Sequence, residues 1–323
     1  MEKPRRWRWG VNRWFVLLFA VLGFFAAKVY PPILPHIQLP AEAYSHNPLF
    51  SLPGIGEFHW TNTLTALVIA DIILFVIALM VRNATRSGKL IPSGLSGAIE
   101  ALLEVLYNLT ETTAGKWTKT IFPFFATITI FVLVVNWMEL IPGIDSIGIL
   151  EPSEHGYQIK EILPGVTTIL KDKMETGGYA LIPFVRVLST DLNFTVGLAL
   201  ISVVMTQVLG ARALGINYFS KFLNVKTLFS RPIFGVIDFG VGLLELISEF
   251  SKILSFSFRL FGNIFAGSVL LFVIGTLVPV FAQTIFLMLE FFVGLIQAIV
   301  FGMLTMVFMS QATQGHGEHA EVH

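Results

Sequence analysis

The sequence predicts an all-α polytopic membrane protein, and three observations carry that reading. Hydrophobic residues make up 54% of the 323-residue chain and charged residues only 13%, against about a quarter charged in a typical soluble domain. Mean hydropathy is +0.76. Several uninterrupted apolar stretches approach or exceed the ~20 residues that a helix needs to cross the hydrocarbon core. Together they predict about five to six transmembrane helices, including a long, strongly tilted C-terminal helical hairpin, plus one interfacial amphipathic helix.

The 21 basic and 21 acidic residues cancel, so charge gives no sign of a nucleic-acid partner. Cysteine is absent, which excludes disulfides, thiolate metal sites and cysteine nucleophiles. The chain divides into residues 1–60, a basic segment with an anchor and an external loop, and residues 61–323, a membrane domain with a cytoplasmic tail.

The first apolar stretch, Trp14 to Ala27, follows Arg5, Arg6, Arg8 and Arg13. A signal peptide has the same profile, but no clear A-x-A cleavage site follows, and a retained anchor is the favoured reading. Residues 30–59 are Pro-rich and read as exposed. Leu64 to Val81 is a clear span with Asp71 as its only charge, and Arg82, Arg86 and Lys89 place its end in the cytoplasm. From Ser93 to Thr113, Leu95, Ile99, Leu102, Leu103 and Leu106 alternate with Glu100, Glu104 and Glu111, the pattern of an interfacial amphipathic helix. Ile121 to Ile141 crosses outward and is closed by Pro142 and Gly143. The charged loop that runs to Tyr179, with Glu151, Glu154 and Glu161, reads as external. Leu192 to Leu209 returns, followed by Arg212, Lys221, Lys226 and Arg231. Segments from about Val236 to Val278 and Gln283 to Ser310 complete six crossings, with both termini cytoplasmic and the basic clusters on the inner side. About 40 residues in the fifth crossing would make a rod of roughly 60 Å, twice the hydrocarbon thickness. No proline interrupts it between Ile233 and Pro279, so a steep tilt is expected.

That fifth segment carries Glu245, Ser248, Glu249, Lys252, Ser255, Arg259 and Asn263 in steps of three and four, most of them along one stripe. Arg259 is the deepest cation and sits among Phe256, Phe258, Leu260 and Phe261. An arginine there costs about 2.5–3.5 kcal/mol on insertion scales, and it stays charged at any ordinary pH. Its own helix offers no anion at that depth, which points to a functional charge. In the last segment Gln283, Glu290 and Gln297 recur every seventh residue as a narrow polar seam. Asn136 and Glu139 end the third crossing, and Asp191 and Asn193 begin the fourth. Asn263 and Gln297 also suit interhelical bonding, and Glu139 and Asp191 also suit an interface. Polar groups on several helices at one side are what a water-lined ion pathway needs.

These residues carry a resemblance. Ser255 to Gly267, SFSFRLFGNIFAG, resembles the signature S-x-x-x-R-L-x-x-N-x-x-A-G of the ATP synthase subunit a family, the membrane stator beside the rotating c-ring. Asn136, Glu139 and Pro142 resemble its N-x-x-[DE]-x-x-P, and Gln297-Ala298 its Gln-Ala pair. The match runs in order from about Trp60 to Ser310. The resemblance implies that Arg259 faces the carboxylate of a c subunit. It implies an outer half-channel near Asn136, Glu139, Asn263, Glu290 and Gln297, with Ser255 beside the arginine. Glu245, with Ser248, would line the inner exit. The family usually carries an ionisable group where Ser268 stands here, so the outer relay leans on Glu290. Asp191 and Asn193 are further candidates.

The implied partners are c-ring proteolipids, peripheral-stalk b subunits, lipid and the rest of a multisubunit F-type ATP synthase, with no nucleic acid. No cofactor or metal is expected: no G-x-x-x-x-G-K-[ST] loop occurs, and the chain reads as a non-catalytic subunit. His36, His46, His59 and His155 lack ligand spacing, and His316, His319 and His323 read as a solvated tail. The expected location is a bacterial plasma membrane, since no Ser-rich, acid-poor transit segment leads the chain. Two other readings are a secondary transporter, which would show inverted repeats with broken helices, and a polytopic membrane enzyme with a metal or nucleophile cluster.

Overall fold

The computed structural model describes residues 9–29, 40–45, 47–54, 56–86, 94–141, 143–153, 156–174, 177–215, 218, 222, 232–278 and 281–314. Expectations resting on Arg5, Arg6, Arg8, His36, His46, Lys89, Pro142, Glu154, His155, Lys221, Lys226, Arg231, Pro279, His316, His319 and His323 lie outside those residues.

The described helices are α1 (Trp9–Val29), α2 (Asn62–Arg86), α3 (Leu95–Ala114), α4 (Thr118–Trp137), α5 (Leu192–Leu214), α6 (Pro232–Leu277) and α7 (Phe281–Thr313). Among the described residues, five stretches are long and apolar enough to cross a membrane: Asn62–Asn83, Ser96–Leu140, Leu192–Leu214, Phe239–Leu277 and Ala282–Thr313. This agrees with the expected polytopic helical class. Among the described side chains of α1, none is buried.

In α3 the amphipathic pattern is realised. Glu100, Glu104 and Glu111 are exposed, while Leu106 is buried with Ile121, Phe125, Leu209, Met306 and Met309. Gly115, at φ +50°, ends α3 in a conformation that disfavours larger residues. Beyond that bend Tyr107 meets Phe122 edge-on at 5.2 Å between ring centroids. Residues 96–140 are therefore two packed helices joined at a bend.

The central core joins Ile128, Val132 and Leu133 of α4, Leu198 and Ala199 of α5, Phe256, Leu260 and Ile264 of α6, and Ala298 and Phe301 of α7. As expected, α6 is continuous over 46 residues, about 69 Å at 1.5 Å per residue, and it packs beside α7. The charged loop holds a structure the sequence reading did not anticipate. Strands β3 (Gly148–Ser153), β4 (Tyr157–Leu163), β5 (Val166–Lys173) and β6 (Gly178–Pro183) form a sheet in the order β3-β6-β4-β5. Its signal was a Pro164-Gly165 turn between the runs YQIKEIL and VTTILKDK. Gly165 takes φ +81°, and its N–H donates to the Glu161 carboxylate at 3.1 Å. A smaller hairpin, β1 (Phe50–Leu52) with β2 (Gly56–Phe58), precedes α2.

Close helix approach depends on missing side chains. A Cβ at Gly302 of α7 would collide with the Thr129 hydroxyl of α4 and press Phe125 at 3.1 Å. Gly302→Ala is expected to lower the thermal stability of the detergent-solubilised protein by about 1–3 kcal/mol, the usual overpacking range. Adding Thr129→Ala should recover most of the loss, and a strictly additive double variant would refute the direct collision.

Candidate functional site

Polar residues predicted on three of the crossings, α4, α6 and α7, meet along one seam. Arg259 lies on an exposed face of α6, and its Nη2 donates to the Ser255 hydroxyl at 3.3 Å. Among the described residues it makes no ion pair. One turn toward the α6 C-terminus, Asn263 Nδ2 donates to Gln297 Oε1 of α7 at 2.7 Å. Gln297 is buried, and its Nε2 finds no protein acceptor.

Nine residues beyond Arg259, the Ser268 hydroxyl is hydrogen-bonded to Glu139 and also lies 3.1 Å from the Ile264 carbonyl. Glu139 occupies the 3-10 turn Met138–Leu140 that ends α4, which delivers its carboxyl between α6 and α7. Glu290 enters from α7, buried at 6% exposure, and sits against Gly267 so tightly that a Cβ there would collide with its carboxylate. Glu139 is close enough for its charge to interact with both Glu290 and Asp145. Asn136 anchors the same end: its Nδ2 donates to the Gly294 carbonyl at 3.1 Å and its Oδ1 accepts from Ser189 at 2.6 Å. Trp137 stacks on Phe291 at 4.7 Å and donates to the Phe291 carbonyl. Proceeding from Arg259, the seam therefore presents Asn263–Gln297, then Ser268–Glu139 beside Glu290, then Asn136–Ser189.

The opposite end of α6 carries a separate polar group. Lys252 Nζ meets Glu249 Oε1 at 2.8 Å and lies 4.7 Å over the Phe308 ring. Tyr218 donates to Gln207 Oε1 at 2.8 Å, and its ring fills the space left by Gly210. Burial, reinforced by Glu249, raises the Tyr218 phenol to about 12. Glu245 is half-buried near this cluster and Ser248 is exposed.

Asp191 is otherwise engaged. One oxygen caps α5 by accepting from the Asn193 N–H at 2.9 Å, and the other accepts from Thr63 of α2 at 3.1 Å. The Asn193 side chain is exposed. Neither bonds to the Glu139 group. Sequence reasoning missed Ser189, Gln207, Tyr218 and Arg186. Arg186 donates to the Pro40 carbonyl at 2.8 Å and to Thr190 Oγ1 at 3.2 Å, and its charge interacts with Glu42, Asp191 and Asp145. Apart from the Arg186–Thr190 bond, these contacts join separate segments of the chain, so no helical spacing announces them. Among the described residues no group of three or more His, Cys, Asp or Glu has metal-site geometry.

The family model for the ATP synthase A chain matches residues 63–310. The chain belongs to the ATP synthase A chain family. Its relatives include ATP synthase subunit a of a Nitratiruptor species, 26% identical over 208 residues, 64% of this chain and 69% of that protein. The sodium-ion-specific subunit a of Propionigenium modestum is 27% identical over 245 residues, 75% of this chain and 71% of that one. The chloroplastic subunit a of Stigeoclonium helveticum is 29% identical over 232 residues, 66% of this chain and 73% of that one. As a member of the ATP synthase A chain family, it is an integral, multi-pass, ion-translocating subunit of a multisubunit ATP synthase.

Beside the seam, burial lifts the Asp145 carboxyl from its ordinary value of 3.8 to about 6, against the opposing pull of Arg186. Between those two values the folded chain binds more protons than the unfolded one, so this group's contribution to stability falls as pH rises toward 6 and then levels off. Thermal unfolding of the solubilised protein from pH 4 to 8 should show that slope. Asp145→Asn should flatten it.

Proposed function

We propose that this chain is the proton-translocating stator subunit of an F-type ATP synthase, with two offset half-channels separated by Arg259. The observation that carries the reading is Arg259 itself, a permanent cation on an exposed face of a membrane-crossing helix, bonded among the described residues only to a neutral serine. Such a charge requires an anion from outside, and a ring of c-subunit carboxylates supplies one at a time. A carboxylate arriving beside a fixed cation has its pKa lowered and releases its proton. Before it leaves into lipid it must be protonated again, because an unpaired charge there is costly. Each charge driven across 100 mV contributes about 2.3 kcal/mol.

The seam from Asn136 and Glu139 through Ser268 and Glu290 to Asn263 and Gln297 serves as the outer half-channel. Glu139 and Glu290 take and pass protons, and Ser268 joins them to α6. Glu245, with Ser248 at the exposed edge, serves the inner exit. Ser255 positions the guanidinium. Peripheral-stalk b subunits hold the chain against the ring, and the location is a bacterial plasma membrane with both termini on the cytoplasmic side.

Arg259→Ala should abolish coupled ATP synthesis in reconstituted vesicles while the complex still inserts, and retained ATP-driven proton pumping would sink the assignment. Glu290→Gln is expected to slow passive and ATP-driven proton movement by about 10²-fold, the size of a lost acid–base relay. Ser268→Ala should cost much less than Glu139→Gln. Equal losses would place the serine in the relay on the same footing as the carboxylates.

A further inference from the structure

The β1–β2 ribbon that leads into α2 has two unlike faces. Phe50 stands opposite Phe58 and Ser51 opposite Glu57, and successive side chains of a strand point to opposite sides. The two phenyl rings stack at 4.7 Å between centroids, yet they remain 50% and 37% exposed. The reverse face carries the Glu57 carboxylate, which lies 3.6 Å from His59. Among the described residues no third strand joins the ribbon, and a lone two-stranded hairpin is marginally stable in water. An aromatic pair left open on such an element calls for a surface to cover it. Connectivity says which one. Phe58 is four residues before Asn62, where α2 and its apolar crossing begin, at most about 14 Å of chain. Trp60 lies in that interval, 43% exposed, and its indole N–H donates at 2.9 Å to Thr65 Oγ1, just inside α2. Rings exposed at the end of a span with their polar atom satisfied are typical of membrane–water boundaries. Tyr44 fixes the base of the ribbon at the same level: its N–H donates to the Trp60 carbonyl at 3.2 Å, and its hydroxyl is hydrogen-bonded to Thr65 at 2.9 Å.

We propose that the β1–β2 ribbon lies in the lipid interface where α2 enters the membrane, with its Phe50–Phe58 face turned to the acyl chains and its Ser51–Glu57 face to water. Two opposing effects set its depth. The rings gain by leaving water, whereas the outer edge of each strand bears backbone N–H and C=O groups that hydrocarbon cannot satisfy. The ribbon therefore settles where headgroups and water still reach its edges, about 5–10 Å into the boundary. Lipid fits this face better than a protein does, because stacked rings offer no polar group to fix a partner's register and lipid requires none. Residues 47–60 include no Lys or Arg, so apolar burial rather than attraction to anionic headgroups drives the seating, and neutral lipid suffices. Seated in this way, the ribbon holds Trp60 and Tyr44 over the first turn of α2 and keeps the start of that helix at the boundary.

The test uses the assembled complex reconstituted into phosphatidylcholine vesicles. Photoreactive p-benzoylphenylalanine replaces Phe50, Phe58 or, on the reverse face, Glu57, each in a separate chain, and the adducts formed on illumination are identified by mass spectrometry. Phosphatidylcholine adducts are expected at positions 50 and 58 and none above background at 57. Admixing phosphatidylglycerol should leave the total lipid yield within about twofold, since no cation on the ribbon attracts it. The substitutions at 50 and 58 exchange one aromatic ring for another, so both remain informative if the Glu57 variant fails to assemble. Adducts at 50 and 58 only with another subunit, with a second copy or with this chain would overturn the proposal. So would the absence of any adduct there, an equal lipid yield at 57 in an assembled complex, or a yield that appears only with phosphatidylglycerol.

Discussion

A guanidinium that cannot lose its proton, carried on an apolar helix, sets the terms for everything around it. Arg259 must keep company with polar groups or an anion wherever the helix lies. Its neighbours on α6 divide accordingly. Phe256, Leu260 and Ile264 are buried in the central core, while Ser255, Arg259 and Asn263 are exposed along the adjoining stripe. The same helix thus bolts the bundle together on one side and presents its polar edge on the other. Continuity matters here, because a break within the 46 residues of α6 would uncouple the stripe from the packed face that orients it.

Helices approach closely where they exchange polar groups, and glycine permits this. Gly267 makes room for the Glu290 carboxylate, and a Cβ at Gly294 would press Asn136 at 3.2 Å and Trp137 at 3.4 Å. Small residues at interfaces let backbones approach in membranes, where association depends on packing and interhelical bonds. Removing side-chain bulk beside each polar group keeps that group sealed from lipid and within reach of its partner. The Asn136 amide uses the result fully, donating to Gly294 and accepting from Ser189.

Much of this was legible in the sequence because the membrane simplifies the problem. Apolar length shows where a helix crosses, and a charge inside such a length stands out against it. Arg259, Glu139, Glu290, Asn263 and Gln297 were all visible that way, and the motif around Arg259 tied them to one family. What stayed hidden depends on chain segments far apart. The hydroxyl of Ser189 reaches Asn136 across 53 positions, and Tyr44 pairs with Thr65 and the Phe184 carbonyl. Asp191 was visible because it begins a crossing, but its bonds to the Asn193 N–H and to Thr63, 128 positions away, were not. The external sheet was obscured for a different reason. β4 is largely exposed and β3 and β6 are only partly buried, so they lack the buried alternation that makes a strand readable, and only the Pro-Gly turn marked them.

The two ends of α6 solve the charge problem differently, and the difference leaves Arg259 distinct. Lys252 lies seven residues before Arg259, two turns away on nearly the same side of the helix. Left alone it would be a second fixed cation able to hold an approaching carboxylate. Glu249 meets it at 2.8 Å, and its ammonium is drawn over Phe308 on α7. That pair is close to neutral from outside and turned toward the bundle. Arg259 has, among the described residues, only a serine. A passing anion therefore finds one deep point of attraction on the stripe rather than two, which is what the proposed exchange of one carboxylate at a time requires.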